Sequence, residues 1–193
     1  MAGREVACVV NRCHQALENN KLDLSCCQLT SVPDAIFLLL SSIELKCCTF
    51  SQNLLRKIPS KLAVKFNLLI ELDLSHNHLS CLPEELKHMD SLSTLDISHN
   101  DFSTLPSIIY KLDSLKKMNA EKNNIQEIDV TKLKLLPNLV EINMQENPLT
   151  QDTYTHLLNL TDKITVLVTP LDAQGSEVNM TKELWPPSEK VDD

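Results

Sequence analysis

Apolar and polar residues along positions 72 to 89, LDLSHNHLSCLPEELKHM, follow an order that is strand-like for only a few positions. Leu72 and Leu74 flank Asp73 at the two-residue period of a strand; Asn77 then interrupts, and Leu79, Leu82 and Pro83 follow at wider spacings. The same order returns around Asn100 as Leu92, Leu95, Ile97, Asn100, Phe102, Leu105, Pro106, Ile109 and Leu112. Self-similarity at a fixed step marks a repeat architecture, whose units bury their apolar sides only by stacking on neighbours.

Indexed by the residue in the asparagine slot, the coils fall at Cys27, Asn53, Asn77, Asn100, Asn123 and Asn147, with steps of 26, 24, 23, 23 and 24 residues. Strand alternation turns Leu72 and Leu74 toward a core and Glu71, Asp73 and Ser75 away from it. The asparagine bends the chain off the sheet. Its amide, once buried, has two donors and an acceptor for the backbone groups that a bent segment leaves unpaired, so stacked coils predict a ladder of amides. Cys27 fits the slot in the first coil because an end has fewer neighbours to satisfy.

Six copies of L-x-x-L-x-L-x-x-N/C-x-L across residues 19–149 resemble the leucine-rich-repeat proteins, and the 23-residue step with its Leu-Pro pair is similar to the intracellular class that includes the Ras-suppressor and Scribble-like proteins. The resemblance implies an α/β solenoid: a curved parallel β-sheet on the concave face, short 3-10 or irregular segments on the convex face, and protein binding as the usual role. It also implies a runner-up role as a regulatory subunit or adaptor in a small-GTPase or phosphatase signalling complex.

The flanks predict caps. Val6, Val9, Val10, Cys13 and Leu17 lie at helical spacings, so residues 1–18 read as a helix covering the open edge of the first coil. Past Asn147-Pro148-Leu149 the pattern lapses. Tyr154, Leu157 and Leu158 suit a short helix, while Ile164, Val166 and Val168 alternate as a strand, giving a carboxyl-terminal cap over residues 150–171. Residues 172–193 are acidic, with Pro186, Pro187 and little apolar content beyond Val178, Leu184 and Trp185; disorder is expected there, with Trp185 a candidate linear motif.

Composition narrows the function. A net charge of -8 argues against nucleic acid, which needs a basic face. Two glycines, Gly3 and Gly175, leave no phosphate-cradling loop, dinucleotide fingerprint or nucleophile elbow, and no cofactor is expected. The longest apolar run, AIFLLL at 35–40, is far below the roughly 20 residues that span a bilayer, so no membrane insertion is expected. Seven cysteines without an export signal suggest reduced thiols and a cytoplasmic location, with the nucleus also open; a monomer is the expected state.

The fixed register lists the outward residues. The central column reads Asp23, Thr49, Asp73, Asp96, Asn119 and Asn143, and the candidate protein-binding face centres on Asp73, His76, Asp96, His99, Lys117, Asn119 and Glu121. Asp73, His76, Asp96 and His99 raise a metal site, but LDLS-x-N is also the ordinary form of such a strand, and that plainer reading is preferred. Cys26-Cys27 and Cys47-Cys48 occupy different positions of their coils, on the order of 15 Å apart along the strands, too far for one zinc ion. Ser75-His76 and Ser98-His99 supply a nucleophile and a base without a recessed pocket, so the chain reads as a non-enzyme whose protein partner the sequence does not identify.

Overall fold

The computed structural model describes residues 2–160 and 163–171. The acidic segment 172–193, with Trp185, lies outside the described residues. Helix α1 (Ala2–Asn19) leads into strand β1 (Lys21–Asp23), followed by α2 (Ala35–Leu39), β2 (Cys47–Thr49), α3 (Ser60–Lys65) and β3 (Glu71–Asp73). A 3-10 turn (Glu84–His88), β4 (Thr94–Asp96), a second 3-10 turn (Ser107–Lys111) and β5 (Lys117–Asn119) come next. Helix α4 (Val130–Leu133), β6 (Glu141–Asn143), α5 (Gln151–Leu158) and β7 (Thr165–Leu167) complete the order. The strands form one parallel sheet in sequence order, with Leu22, Cys48, Leu72, Leu95, Met118, Ile142 and Val166 in register across it.

That register makes the core a stack of aliphatic layers. Leu72, Leu95 and Met118 are buried, as are Leu74, Ile97 and Ala120 two residues on, and Phe50 and Phe102 are fully enclosed. Each fully buried leucine contributes about 1.5–3 kcal/mol, so a ring-poor chain gains its core from many equal layers rather than from a few large side chains.

Coil length sets the convex winding. The 23-residue steps ending at Asn100 and Asn123 contain the two 3-10 turns, whereas the steps of 26, 24 and 24 residues contain α2, α3 and α4. An α-turn rises about 1.5 Å per residue against about 2.0 Å in a 3-10 turn, so the extra residues are taken up by slower advance over the same span. The convex side is thus more helical than the expected 3-10 and irregular segments.

The amide ladder repeats atom for atom. Asn100 Nδ2 donates to Leu74 O, Ile97 O and Ser98 O at 3.0–3.1 Å, while its Oδ1 accepts Leu79 N at 2.9 Å. Asn53, Asn77, Asn123 and Asn147 make the equivalent contacts, each reaching back to the coil before it. The first slot has no coil behind it. Cys27 needs no such reach: its Sγ lies 3.4 Å from Ser25 O and 3.3 Å from Cys8 Sγ of α1.

Both open edges are closed by side chains standing in for absent backbone. Asp73 O and Ser75 O accept Phe50 N and Gln52 N from the preceding coil, but the corresponding Asp23 O and Ser25 O have no preceding coil. Arg12 of α1 fills that gap, with Nη1 donating to Asp23 O at 3.1 Å and Nη2 to Ser25 O at 3.5 Å, and it pairs with the Asp23 carboxylate at 2.7 Å. At the far edge Glu146 N donates to Thr169 Oγ1 at 2.8 Å, where the earlier coils use a carbonyl of the next coil. Among the described side chains of α1, which exclude residues 2–6 and with them the expected Val6, those of Val9, Cys13 and Ala16 are buried; Leu17, expected on that face, is 42% exposed because the buried line runs through Ala16 instead.

Two outcomes follow for urea unfolding. Asn100→Leu lowers stability by about 1–3 kcal/mol by stranding buried carbonyls, and an unchanged midpoint rejects the ladder. Arg12→Met costs about 1–2 kcal/mol by leaving Asp23 O and Ser25 O unanswered, whereas a neutral result would mean that water serves that edge equally well.

Candidate functional site

The concave face carries a trough of about 660 Å³. Its walls are Lys21, Asp23 and Ser25 from β1 and its extension, Cys47, Thr49 and Ser51 from the next coil, and Glu71, Asp73, Thr94, Asp96 and Lys117 beyond. The sheet is therefore less smooth than its alternation suggested, because curvature makes a hollow of it. Four carboxylates, Asp23, Glu71, Asp73 and Asp96, share this hollow with Lys21 and Lys117. Lys117 Nζ pairs with Glu141 at 3.2 Å.

All six residues of the central column are already engaged. Asp23, Asp73 and Asp96 each accept the N–H two residues on, from Ser25, Ser75 and Ser98, at 2.8–2.9 Å. Thr49, Asn119 and Asn143 do the same for Ser51, Glu121 and Gln145 at 3.0–3.3 Å. Neighbouring coils are tied together as well. Thr49 Oγ1 donates to Asp73 Oδ2 at 2.9 Å, Asn119 Nδ2 to Asp96 Oδ2 at 3.0 Å, and Asn143 Nδ2 to Glu121 Oε2 at 3.1 Å. Asp and Asn recur here because a short side-chain oxygen closes the turn that leads into the asparagine slot.

The candidate face divides accordingly. Asp73, Asp96 and Lys117 line the hollow, whereas His76, His99 and Glu121 stand outside its walls, toward the turns. Asn119 is buried at 5% and spends its amide on Asp96 and Glu121. Ser75 and Ser98, expected to face out, are buried as well: strands about 4.8 Å apart leave a short side chain beneath its taller neighbours. Lys21, Cys47, Thr49, Glu71 and Thr94 enlarge the site; they sit in the outward columns that the register already defined.

Crowding alters the ionisation of this face. Burial raises the Asp96 carboxyl above its ordinary value, and the nearby Asp73 charge adds to that; burial and Glu146 raise Glu121. A raised carboxyl favours the protonated fold, so what Asp96 contributes is present at pH below 3.8 and is lost as pH climbs through its folded value. The His76 and His99 rings stack at 3.9 Å with 17° between planes, presenting faces rather than lone pairs to one another. Among the described residues no group of three or more His, Cys, Asp or Glu is placed to hold a metal ion. Ser75 and Ser98 carry their hydroxyls in buried positions, and nothing in the hollow forms a Ser–His pair with donors for an oxyanion.

Burial, His76 and Lys122 lower the His99 pKa below 6.5. The neutral ring is thus the form that suits the fold, and its stabilising share is lost as pH falls from 6.5 through the lowered value. In an NMR titration His99 has a midpoint below 6.5, and His76→Gln moves it upward; an unmoved midpoint in that variant would rule out the coupling.

Comparison with known proteins agrees with this geometry. A family model described as "Leucine rich repeat" matches residues 49–102. Leucine-rich repeat-containing protein 20 of Mus musculus is 44% identical over 154 residues, covering 78% of this chain and 84% of the relative. The Homo sapiens protein of the same name is 33% identical over 94 residues, 47% of this chain and 51% of its own. A solved LRR protein of Leptospira interrogans superposes with a TM-score of 0.63 at 25% identity, over 72% of this chain and 34% of that larger one. The α/β solenoid, its amide ladder and the extent of the mouse match together establish that the chain belongs to the leucine-rich-repeat family.

Proposed function

We propose that the chain is a non-catalytic protein-binding module that receives its partner in the concave hollow. The observation that carries this reading is the hollow itself, a continuous trough built from the outward side chains of β1 to β5. Asp73, Asp96 and Lys117 supply its charged floor, with Glu71 and Lys21 beside them and His76, His99 and Glu121 available at the turn side. Asn119 holds Asp96 in place rather than meeting the partner. A parallel sheet curved by small rotations per coil gives an extended surface for a loop or peptide, and the acidic excess of the trough favours one that carries lysine or arginine. The scaffold role and the cytoplasmic location belong to this proposal.

Charge reversal tests it. Asp73→Arg with Asp96→Arg lowers capture of partner proteins from cell extract, but both carboxylates also close turns, so a second pair is needed. Glu71→Arg with Thr94→Arg fills the same trough and stands outside the turn-closing column. Partner capture falls by about tenfold or more in both pairs while the melting curve of the second pair stays near wild type. Identical partner lists for wild type and both pairs would remove the concave face from consideration.

A further inference from the structure

We propose that Cys8 and Cys27 form a reversible disulfide that fastens α1 to the first coil when the protein meets a hydroperoxide. The two sulfurs lie 3.3 Å apart across the contact between helix and coil, joining positions 19 residues apart in sequence. All seven cysteines are free, and the others stand in different surroundings. Cys26 Sγ is turned outward onto Gln52 Oε1 at 2.8 Å, Cys47 Sγ lies against Glu71 Oε2 at 3.4 Å, and Cys13 and Cys48 are buried in the apolar core. Only Cys8 and Cys27 have a sulfur within reach of a sulfur among these contacts.

The pair is arranged for two distinct roles. Cys8 is half-buried on the surface of α1 and is the sulfur a small oxidant reaches; Cys27 is 5% exposed. Burial and the Cys8 contact push the Cys27 thiol up to about 11, so Cys27 stays protonated and Cys8 is the sulfur oxidised first; the 3.3 Å separation then brings Cys27 onto it. The hydroperoxide transfers one oxygen to Cys8, giving a sulfenic acid and, from hydrogen peroxide, one water. The Cys27 sulfur then attacks the Cys8 sulfur, the S–O bond breaks, and the leaving hydroxide takes the Cys27 proton as a second water. Two thiols are oxidised by two electrons and one peroxide is reduced. Closing from 3.3 Å to a bond of about 2.05 Å is a movement of about 1.3 Å. Arg12, one helical turn beyond Cys8, holds α1 in place by donating to the carbonyls of Asp23 and Ser25 in the coil that carries Cys27.

The latch would act where the solenoid is weakest. The first coil has no coil behind it, its slot lacks the ladder amide, and α1 is its cover; a covalent tie keeps that cover from lifting. Full-length protein is treated with hydrogen peroxide, alkylated, and digested with trypsin without reduction. Cleavage after Arg4, Arg12, Lys21 and Lys46 separates Cys8 in peptide 5–12 from Cys26 and Cys27 in peptide 22–46. The expected result is a 5–12 to 22–46 linkage in wild type and in Cys26→Ser, absent from Cys8→Ser and Cys27→Ser and removed by dithiothreitol. The melting midpoint rises by about 5 to 10 °C on oxidation of wild type and is unchanged by oxidation in Cys8→Ser. A linkage that survives in Cys27→Ser, peroxide treatment that leaves both peptides separately alkylated, or oxidation of Cys8 to a sulfinic acid without any cross-link would each overturn the proposal. Because Cys8 is on the helix surface, Cys8→Ser keeps the test decisive even if Cys27→Ser fails to fold.

Discussion

The structure rests on one side-chain amide, turned in against the backbone, in every coil but the first. Every chain that leaves a sheet through a bend strands carbonyls that cannot reach water, and leaving one buried and unpaired costs about 1–3 kcal/mol. In each coil from the second onward, one asparagine answers a carbonyl of the previous coil and two of its own while accepting an N–H from the previous coil. The amide is thus at once a turn closure and a rivet between neighbours. Because its reach is backward, the ladder has a direction, and the two ends of the solenoid pose different problems. The amino-terminal edge presents carbonyls without donors, which the Arg12 guanidinium answers; the carboxyl-terminal edge presents Glu146 N without a carbonyl, which the Thr169 hydroxyl answers.

The ladder also explains which surface positions are free. The residue before each slot, Cys26, Gln52, His76, His99, Lys122 and Glu146, sits at φ of 52–56°, in the left-handed region. For a residue with a Cβ this conformation costs about 1 kcal/mol or more, and a chain with two glycines takes it six times in a row of coils. It persists because the backbone N–H at each of these positions is held by the next coil. The side chain has no such duty and varies widely, from a stacked histidine pair to a Lys122–Glu146 ion pair at 3.7 Å. The central column behaves in the opposite way. Asp73, Asp96 and Asn119 are restricted to short acceptors by the turns they close, so part of what looks like a binding surface is structural.

Legibility in the sequence follows the same division. Whatever recurs in every coil could be read directly: the inward aliphatics, the slot residues from Cys27 to Asn147, and the parallel order of the strands. Leu72, Leu95 and Met118 fall in register, and Phe50 and Ile97 are fully buried, as their spacing required. What occurs once could not be read. Arg12 has no repeat signal, since its partners are the carbonyls of an edge that exists only in the folded array. Ser75 and Ser98 misled because alternation gives the face of a sheet, not the crowding on it. The hollow lies nearer the amino-terminal coils than the face inferred from Asp73 to Glu121, drawing in Lys21, Asp23, Cys47 and Thr49. The step lengths did hold a signal for convex winding: α-turns where the coil has 24 or 26 residues, 3-10 turns where it has 23.

Directionality has a further consequence for the first coil. With no coil behind it, the slot at Cys27 is released from the hydrogen-bonding duty that fixes asparagine everywhere else, and any small residue that tolerates burial can occupy it. Relaxed structural demand is what allows a thiol to sit in the core of an end coil without disturbing the ladder. The same thiol in the Asn77 slot would strand Phe50 O, Leu74 O and the Leu55 N–H. The repeating constraint thus lapses at the two ends, where the side chains of Arg12 and Thr169 take over the work of backbone.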